Sequence, residues 1–337
     1  MAATNYTLVL DPGHGGKDPG AVGRVSKEKD LNLKLALEVG KQIKEQYPDV
    51  KVIYTRSTDV FIPLQERADI ANKANADLFI SIHTNSAESR TPCGVETFIL
   101  GTEKMEKNLD VAMRENAVMK LEADYKTTYQ GFDPNSIDSY IMFELMQNSY
   151  MDQSLQFATL VQNSFVGHLN REDRGVRQAA FWVLLKTACP SILFEMGFIS
   201  NPDEEKFLNQ NGSIAKMAEL LVKSFGQYTH KQAVRKENLA IDTAKLDVKT
   251  PNQANTEKQP ATESQQKQLY YAVQICASKT PLEPSDPRLK GLEYDTIHAG
   301  EWIKYYTAAD TNKAKVSSSQ QQLKPRFPDC WIIKFEK

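Results

Sequence analysis

Three short apolar runs of this sequence are each followed by a side chain suited to metal binding or acid–base chemistry. The runs are residues 8–10, 78–82 and 191–194, and the side chains that follow them are His14, His83 and Glu195. Short apolar runs bounded by turn residues are typical of buried strands in α/β proteins. Ligands of open α/β sheets bind outside the carboxyl ends of the strands. The repeated placement therefore predicts a functional site at that edge of an α/β sheet.

A fourth candidate, Glu28, lies at the start of a predicted helix, because Leu31, Leu35 and residues 37–39 recur at helical spacing. In isolation, a glutamate in the first turn of a helix compensates the helix dipole. Two imidazoles and one carboxylate, however, form the ligand set of a catalytic zinc site with one open position. The other glutamate would then remain as a base that accepts a proton from water.

Four segments around these residues resemble, in order and spacing, the motifs of the zinc-dependent N-acetylmuramoyl-L-alanine amidases, the cell-wall amidase type 3 family. The segments are DPGHGGKDPGAVG, SKEKDLNLKLA, YTRSTDVFIPLQERADIANKANADLFISIHTNSA and CPSILFEMGFISNPDEEKFL. The resemblance covers residues 6–226. It implies that His14, Glu28 and His83 bind Zn²⁺ and that Glu195 is the catalytic glutamate. It also implies hydrolysis of the amide between N-acetylmuramic acid and the L-alanine of the stem peptide in peptidoglycan.

Two alternatives to this function remain at the level of sequence. The first is a peptidoglycan-binding protein that is non-catalytic or active only with a partner, against which the intact set of four residues argues. The second is a different zinc hydrolase of the cell wall, an endopeptidase or a deacetylase, which the identity of the cleaved bond would reveal. The physiological setting predicted for the amidase is cell-wall remodelling or daughter-cell separation.

Length and composition narrow the setting further. A chain of 337 residues suggests two domains, and a net charge of −2 gives no reason to expect nucleic acid as a partner. No apolar run reaches the ~18 residues of a membrane span. No signal peptide precedes the first strand, yet a wall-cleaving enzyme must be exported. We therefore expect a periplasmic or cell-envelope protein whose leader has been removed.

Strands and helices alternate through residues 1–228, the expected catalytic domain. Predicted strands at residues 51–55 and 94–100 and predicted helices at residues 63–74 and 201–225 accompany the motifs, and residues 137–170 form one long helix or two. This alternation predicts a mainly parallel twisted sheet flanked by helices on both faces.

Residues 103–134 allow two interpretations. Their first part is charged and helical with a weak apolar stripe, which is typical of an amphipathic helix packed on the sheet. Some relatives of the amidase family, however, carry an insert here whose helix covers the active site and supplies a blocking glutamate. Glu115 or Glu122 would have that autoinhibitory role, and an activator protein would then be a further partner.

Other polar residues near the motifs are candidates for substrate binding. Asn85 either hydrogen-bonds the substrate or caps a helix, and Arg177 is a candidate contact for the anionic stem peptide. Arg56 and Arg67 are expected to stabilise loops through carboxylates rather than to touch substrate.

The remaining residues form a linker and a second domain. Residues 229–268 contain no aromatic residue and are predicted to be a flexible linker. Residues 269–337 form a small α+β domain of βαββαβ layout that resembles the SPOR family of peptidoglycan-binding domains. The candidate glycan contacts are Tyr271, Gln274, Trp302 and Tyr305; the alternative is a module that stabilises or dimerises the enzyme. Whether Cys276 and Cys330 form a disulfide stays open, although an exported protein would permit one.

Overall fold

A computed structural model of the chain describes residues 6–102, 105–140, 150–246, 269–278, 280–283, 286–289, 291–299, 302–324, 326–327 and 330–336. The chain divides into two compact units, Met1–Thr250 and Pro251–Lys337. Among the described residues, none of the helices is both long enough and apolar enough to span a membrane.

A six-stranded sheet forms the centre of the first unit. Its strands are β1 (Thr7–Pro12), β2 (Lys51–Tyr54), β3 (Leu78–Asn85), β4 (Val95–Leu100), β5 (Asp173–Ala179) and β6 (Ser191–Phe198). Their order is β2-β1-β3-β6-β4-β5. All neighbouring pairs are parallel except β4 and β6, which are antiparallel. The predicted α/β fold with a mainly parallel sheet is confirmed.

Helices cover both faces of this sheet. They are α1 (Glu28–Gln46), α2 (Leu64–Lys73), α3 (Met105–Asn116), α4 (Tyr125–Thr128), α5 (Ile137–Tyr140), α6 (Met151–Leu169), α7 (Trp182–Lys186), α8 (Pro202–Leu208) and α9 (Ser213–Leu246). A 3₁₀ turn at Ala117–Leu121 follows α3. The single helix predicted over residues 201–225 is instead two helices, α8 and α9, separated at residues 209–212. The start of α8 agrees with the prediction, and the Asn201 side chain there accepts hydrogen bonds from the backbone N–H groups of Asp203 and Glu204.

The central strands β1, β3 and β6 contain continuous apolar runs because both faces of the sheet are buried there. Leu8 and Ile80 point into the core that contains residues of α1, α6 and α9. Val9 and Phe79 point into the opposite core, which contains residues of α2, α3 and α7. Successive side chains of a strand alternate between faces, so a sheet covered on both sides needs continuous apolar runs.

Helix α9 is longer than the sequence analysis predicts. Residues 229–246, expected as linker, continue α9 to Leu246, so this part of the linker prediction is wrong. The segment contains no glycine or proline and is rich in alanine and lysine, which have high helix propensity. A segment of this polar composition cannot form a hydrophobic core of its own, but it can still form a helix. Residues 247–268 lie outside the described residues.

The second unit contains the predicted strands and helix. Strands β7 (Leu269–Ser278), β8 (Asp295–Ala299), β9 (Trp302–Asp310) and β10 (Trp331–Glu336) accompany helix α10 (Lys313–Leu323). The sheet is antiparallel in the order β10-β7-β9-β8. The predicted βαββαβ layout places its first helix between β7 and β8. The described residues of that stretch form turns instead of a helix. Cys276 and Cys330 are free thiols.

Candidate metal centre

His14 follows β1 in a sharply turned loop. Its φ is 62°, and those of Gly15 and Gly16 are 127° and 57°, values that favour glycine. At Gly13, a Cβ atom would collide with the imidazole of His83. The glycines of the motif therefore let the loop approach β3, where the two imidazole centroids lie 5.0 Å apart.

Two buried arginines fix this loop. Arg67 forms an ion pair with Asp11 at 2.8 Å and donates a hydrogen bond to the carbonyl oxygen of His14 at 2.8 Å. Arg56 donates to the carbonyl oxygen of Gly13 at 2.8 Å. Both arginines therefore stabilise the loop, as expected, although Arg56 does so through carbonyl oxygens rather than a carboxylate.

Replacing Arg67 with methionine is expected to lower the free energy of unfolding by about 3–5 kcal/mol, because Asp11 would stay buried without its cation. Urea unfolding of the full chain measures the change. Arg90→Met removes an exposed arginine and is expected to change the stability by less than about 0.5 kcal/mol. Equal stabilities of the two variants would contradict the assignment of Arg67 to the loop.

Glu28 is the first residue of α1, and its carboxylate is fixed by backbone donors. Oε2 accepts a hydrogen bond from the N–H of Ala21 at 2.8 Å, and Oε1 accepts one from the N–H of Thr84 at 3.0 Å. Oε1 also lies 3.1 Å from Nε2 of His14 and 3.1 Å from Nδ1 of His83. The first turn of α1 therefore brings a carboxylate oxygen between the two imidazoles.

Glu115, near the end of α3, completes a cluster of four side chains. Its Oε2 lies 3.2 Å from Nε2 of His14 and 3.0 Å from Nδ1 of His83. The candidate ligand atoms of His14, Glu28, His83 and Glu115 all lie within 4.8 Å of one another. Around a tetrahedral zinc ion with bonds of ~2.0–2.1 Å, ligand atoms are separated by roughly 3.3 Å. The cluster has the size that such an ion requires.

The charges of this buried cluster depend on one another. Burial lowers the pKa of His83, but the Glu115 carboxylate outweighs it and raises the pKa to about 10. Burial acts likewise on His14, whose pKa the Glu28 carboxylate raises well above its usual value. Burial raises the pKa of Glu115, yet the charge of His83 holds it well below its usual range. The two carboxylates therefore need two compensating positive charges. A divalent cation would supply both charges and would be bound by imidazoles in their neutral form.

Two atoms of the cluster lack a well-directed hydrogen bond. Nε2 of His14 and Oε2 of Glu115 are buried and have no hydrogen-bond partner among the described residues. Buried polar atoms are nearly always paired, and these two lie 3.2 Å apart. Imidazole nitrogen and carboxylate oxygen are donors that zinc accepts. The residues present therefore fit a zinc ion.

Asp18 supports the cluster from outside and was not singled out in the sequence analysis. Its Oδ2 lies 2.7 Å from Nδ1 of His14, and both side chains are nearly inaccessible to solvent. A carboxylate on the far nitrogen of a metal-binding imidazole fixes its tautomer and orientation. The sequence did contain a signal for this contact, because Asp18 follows His14 by four residues within one glycine-rich loop.

Glu195 lies beside the cluster because β3 and β6 are in parallel register, with His83 opposite Glu195. The side chain is fully buried, and within the described residues neither carboxylate oxygen has a hydrogen-bond partner. Burial raises the pKa of Glu195 well above its usual value, and the charge of Glu115 raises it further. A carboxyl group with a raised pKa beside a candidate metal centre is suited to general acid–base chemistry.

Arg114 attaches the end of α3 to the site. Its guanidinium donates to Oε1 of Glu115 at 3.0 Å, to the carbonyl oxygen of Ser86 at 2.7 Å and to Oδ1 of Asn85 at 2.7 Å. It also approaches Oε1 of Glu195 to 4.0 Å. Arg114 was not singled out in the sequence analysis, since only the fold reveals its contact with β3.

Glu122, the other glutamate considered for a blocking role, lies apart from the histidines. Its Oε1 accepts hydrogen bonds from the Tyr129 hydroxyl at 2.7 Å and from the N–H of Leu64 at 3.4 Å. It therefore anchors the segment that follows α3 to the start of α2. Of the two glutamates, Glu115 is the one in the cluster.

Asn85 and Arg177, the candidates for substrate binding, meet at Glu96. The Asn85 side chain donates to Oε1 of Glu96, and Arg177 lies 3.2 Å from Oε2 of the same carboxylate. Asn85 ends β3, and its side chain contacts Glu96 and Arg114 rather than a helix terminus. Glu96 was missed in the sequence analysis, although a charged residue inside an otherwise buried strand was a signal.

The four candidate glycan contacts of the second unit differ in placement. Tyr305 is 2% exposed, and its hydroxyl accepts a hydrogen bond from the N–H of Leu282 at 2.7 Å; this burial argues against Tyr305 as a sugar contact. Tyr271 packs beside the same apolar cluster. Gln274 is buried, and Oε1 has no hydrogen-bond partner among the described residues. Trp302 belongs to β9, and its side chain lies outside the described part.

The fold and the cluster together define an α/β protein with a buried centre of two histidines and two carboxylates beside a further glutamate. A sequence model described as N-acetylmuramoyl-L-alanine amidase matches residues 8–226. The chain therefore belongs to the N-acetylmuramoyl-L-alanine amidase family.

Individual relatives are similar over about two thirds of the chain. N-acetylmuramoyl-L-alanine amidase AmiC of Escherichia coli O6:H1 is 37% identical over 228 residues, which cover 66% of this chain and 52% of AmiC. AmiA of Escherichia coli K12 is 35% identical over 228 residues, covering 66% of this chain and 76% of AmiA. The crystal structure of the N-acetylmuramoyl-L-alanine amidase from Clostridium difficile 630 has a TM-score of 0.51 and 28% identity, over 67% of this chain and 97% of that one. The chain thus spans about half the length of AmiC.

Proposed function

We propose that this chain is a zinc-dependent amidase that hydrolyses the bond between N-acetylmuramic acid and L-alanine in peptidoglycan. The observation that supports this most is the buried cluster of His14, Glu28, His83 and Glu115 beside Glu195 in a chain of this family. The reaction serves cell-wall remodelling or daughter-cell separation, and the protein acts after export, in the periplasm or cell envelope.

His14, Glu28 and His83 would hold the zinc ion, with Asp18 fixing the His14 imidazole. When bound, zinc would supply Lewis-acid chemistry, polarising a carbonyl group and making water a nucleophile near neutral pH. Glu195 accepts the proton of the attacking water and delivers it to the nitrogen of the departing alanine. The burial that raises the pKa of Glu195 favours this return of the proton, because a carboxyl group of higher pKa is easier to protonate.

A digest of purified peptidoglycan tests the reaction class. We expect stem peptides with new L-alanine amino termini, together with glycan strands that have free muramic lactyl groups. An endopeptidase would create amino termini within the stem peptide, and a deacetylase would release acetate. Either product pattern would overturn the assignment.

Glu115 is the autoinhibitory ligand in this proposal. Its carboxylate lies 3.2 Å from Nε2 of His14 and 3.0 Å from Nδ1 of His83, where it would compete with water and substrate for a bound ion, and the neighbouring Arg114 contacts Asn85 and Glu195. Catalysis therefore requires the end of α3 to leave the site. An activator protein that binds the α3 segment would stabilise the open form.

Glu115→Ala is expected to raise the amidase rate of the full chain at least about tenfold, which corresponds to ~1.4 kcal/mol of preference for the closed form. The release of stem peptides from purified peptidoglycan measures the rate. Asp110→Ala removes an exposed carboxylate from the same helix and is expected to leave the rate within about twofold. An unchanged or lower rate for Glu115→Ala would overturn the autoinhibitory assignment.

Residues 269–337 of the second unit bind glycan strands of peptidoglycan in this proposal. Tyr271, which is partly buried, and Trp302 remain the candidates for the glycan contact, whereas the burial of Gln274 argues against a direct sugar contact, as it does for Tyr305. Linking a binding unit to a catalytic unit raises the effective concentration of the enzyme at the wall. We expect a protein without residues 269–337 to lose its co-sedimentation with insoluble peptidoglycan. The same protein should still cleave soluble muramyl peptides.

A further inference from the structure

A second polar cluster lies beside the candidate metal centre, on β4 and β5. Glu96 is 1% exposed, and its Oε2 lies 3.2 Å from Nε of Arg174 and 3.2 Å from a terminal guanidinium nitrogen of Arg177. We call Arg174 and Arg177 the arginine pair. Two guanidinium groups share one carboxylate, so one positive charge of this cluster has no anionic partner within it.

The arginine pair is held in place while remaining accessible. The guanidinium of Arg174 lies 4.7 Å from the centre of the Phe198 ring, and Nε of Arg177 donates to the carbonyl oxygen of Arg174 at 2.9 Å. The two arginine side chains are nevertheless 29% and 31% exposed. A cation fixed in this way loses little conformational freedom when it binds an anion.

The register of the sheet brings this cluster close to the reacting groups. Glu96 pairs directly with Glu195 across the antiparallel β4 and β6, so the two side chains extend from the same face. Neighbouring strands lie about 4.8 Å apart, and an extended peptide advances about 3.4 Å per residue. Both guanidinium groups lie beside the Glu96 carboxylate, so the arginine pair is about one strand spacing from Glu195, a distance that one or two residues of an extended peptide span.

Helix α3 covers one member of the pair in the closed form. Oδ1 of Asn108 lies 3.4 Å from the terminal nitrogen of Arg177, while its Nδ2 donates to the carbonyl oxygen of Gln178 at 2.9 Å. Asn108 thus offers a neutral amide oxygen to a cation whose preferred partner is a carboxylate. The same helix carries Glu115, so its departure would uncover both positions.

We propose that Arg174 and Arg177 bind a carboxylate of the stem peptide, on the residue beyond the scissile alanine, with Glu96 as their positioning residue. This proposal rests on the proposed function, because it deepens the definition of the substrate. Planar guanidinium groups suit bidentate binding of a carboxylate. The enzyme then prefers peptidoglycan whose stem carboxylate at that position is free over peptidoglycan in which it is amidated.

Equilibrium binding and hydrolysis test the subsite separately. The protein is the zinc-loaded full chain with Glu115→Ala, and the ligands are an alanyl-γ-glutamyl peptide with a free α-carboxylate and its carboxamide. Calorimetry is expected to give at least about tenfold tighter binding of the free acid, the scale of a charge-assisted hydrogen bond. Adding Arg174→Gln and Arg177→Gln is expected to bring the two affinities within about twofold, whereas adding Arg90→Gln, at an exposed position, retains the preference.

Matched muramyl peptides give the same comparison as a ratio of kcat/KM values. Equal affinities for the two peptides, a preference that survives loss of the arginine pair, or no binding of either peptide would overturn the subsite. A binding preference without hydrolysis of any muramyl peptide would instead overturn the amidase function and leave the subsite standing. If the double variant does not fold, Arg177→Lys keeps the charge beside Glu96 but loses the planar fork, and the preference must then fall.

Discussion

Replacing Glu195 with glutamine is expected to lower the rate of amide hydrolysis by about 10²- to 10⁴-fold, the usual contribution of a general base. The zinc content should remain at one equivalent, because the cluster of His14, Glu28 and His83 is intact in the variant. Glutamine has nearly the same shape but cannot accept and return a proton. Stem-peptide release and elemental analysis of the same protein preparation measure the two quantities.

Glu88→Gln is the matched control, since Glu88 is exposed in the loop after β3. Its rate is expected to stay within about twofold of the unaltered protein. Near-normal turnover of the Glu195 variant would show that another group carries the proton. Loss of zinc from that variant would instead make Glu195 a ligand of the metal.

Replacing His83 with alanine is expected to weaken zinc binding by at least about 100-fold and to reduce hydrolysis to background. Loss of a ligand should exceed the 10- to 100-fold cost of losing an outer partner of one. Asp18→Asn, which alters the partner of His14, therefore provides the intermediate case. Competition with a chelator of known affinity measures the zinc dissociation constants of the unaltered protein and of the His83→Ala and Asp18→Asn variants.

His168→Ala is the control for this series, because His168 is exposed and lies at the end of α6, outside the cluster. Its zinc affinity and its rate are both expected to be unchanged. If His83→Ala bound zinc as tightly as His168→Ala does, the cluster would not be the metal centre.

The sequence predicts the fold wherever local pattern and tertiary environment agree. The apolar runs at residues 8–10 and 78–82 are strands buried on both faces, and Asn201 caps α8 as its side-chain chemistry requires. The pattern is less informative for residues 229–246, where a polar composition is compatible with coil and with helix. Good helix formers continue α9 there.

The sequence predicts those residues of the candidate site that follow a predicted strand or begin a predicted helix. His14, His83 and Glu195 follow predicted strands, Glu28 begins a predicted helix, and the resemblance supplied the roles of all four. The contacts of Arg114 and Glu96 depend on how α3 lies on the sheet and on the β4–β6 register. Sequence spacing encodes neither, because both are set by packing between segments that are distant in the chain.

The autoinhibitory hypothesis illustrates the same limit. A charged helical segment after β4 allowed either Glu115 or Glu122 to face the site. The choice between them depends on the end of α3 and the 3₁₀ turn that follows, which direct Glu122 towards Tyr129 instead. Residues only seven positions apart thus have unrelated surroundings.

The most direct test of the account is the release of stem peptides from purified peptidoglycan as zinc is titrated into the metal-free full chain carrying Glu115→Ala. We predict that peptides beginning with L-alanine increase in proportion to added zinc and reach a plateau at one equivalent. The same titration of the protein that also carries Glu195→Gln should bind zinc equally and release almost nothing. Release that is independent of zinc, or zinc binding at one equivalent without any release from the Glu115→Ala protein, would contradict the assignment of this chain as a zinc amidase.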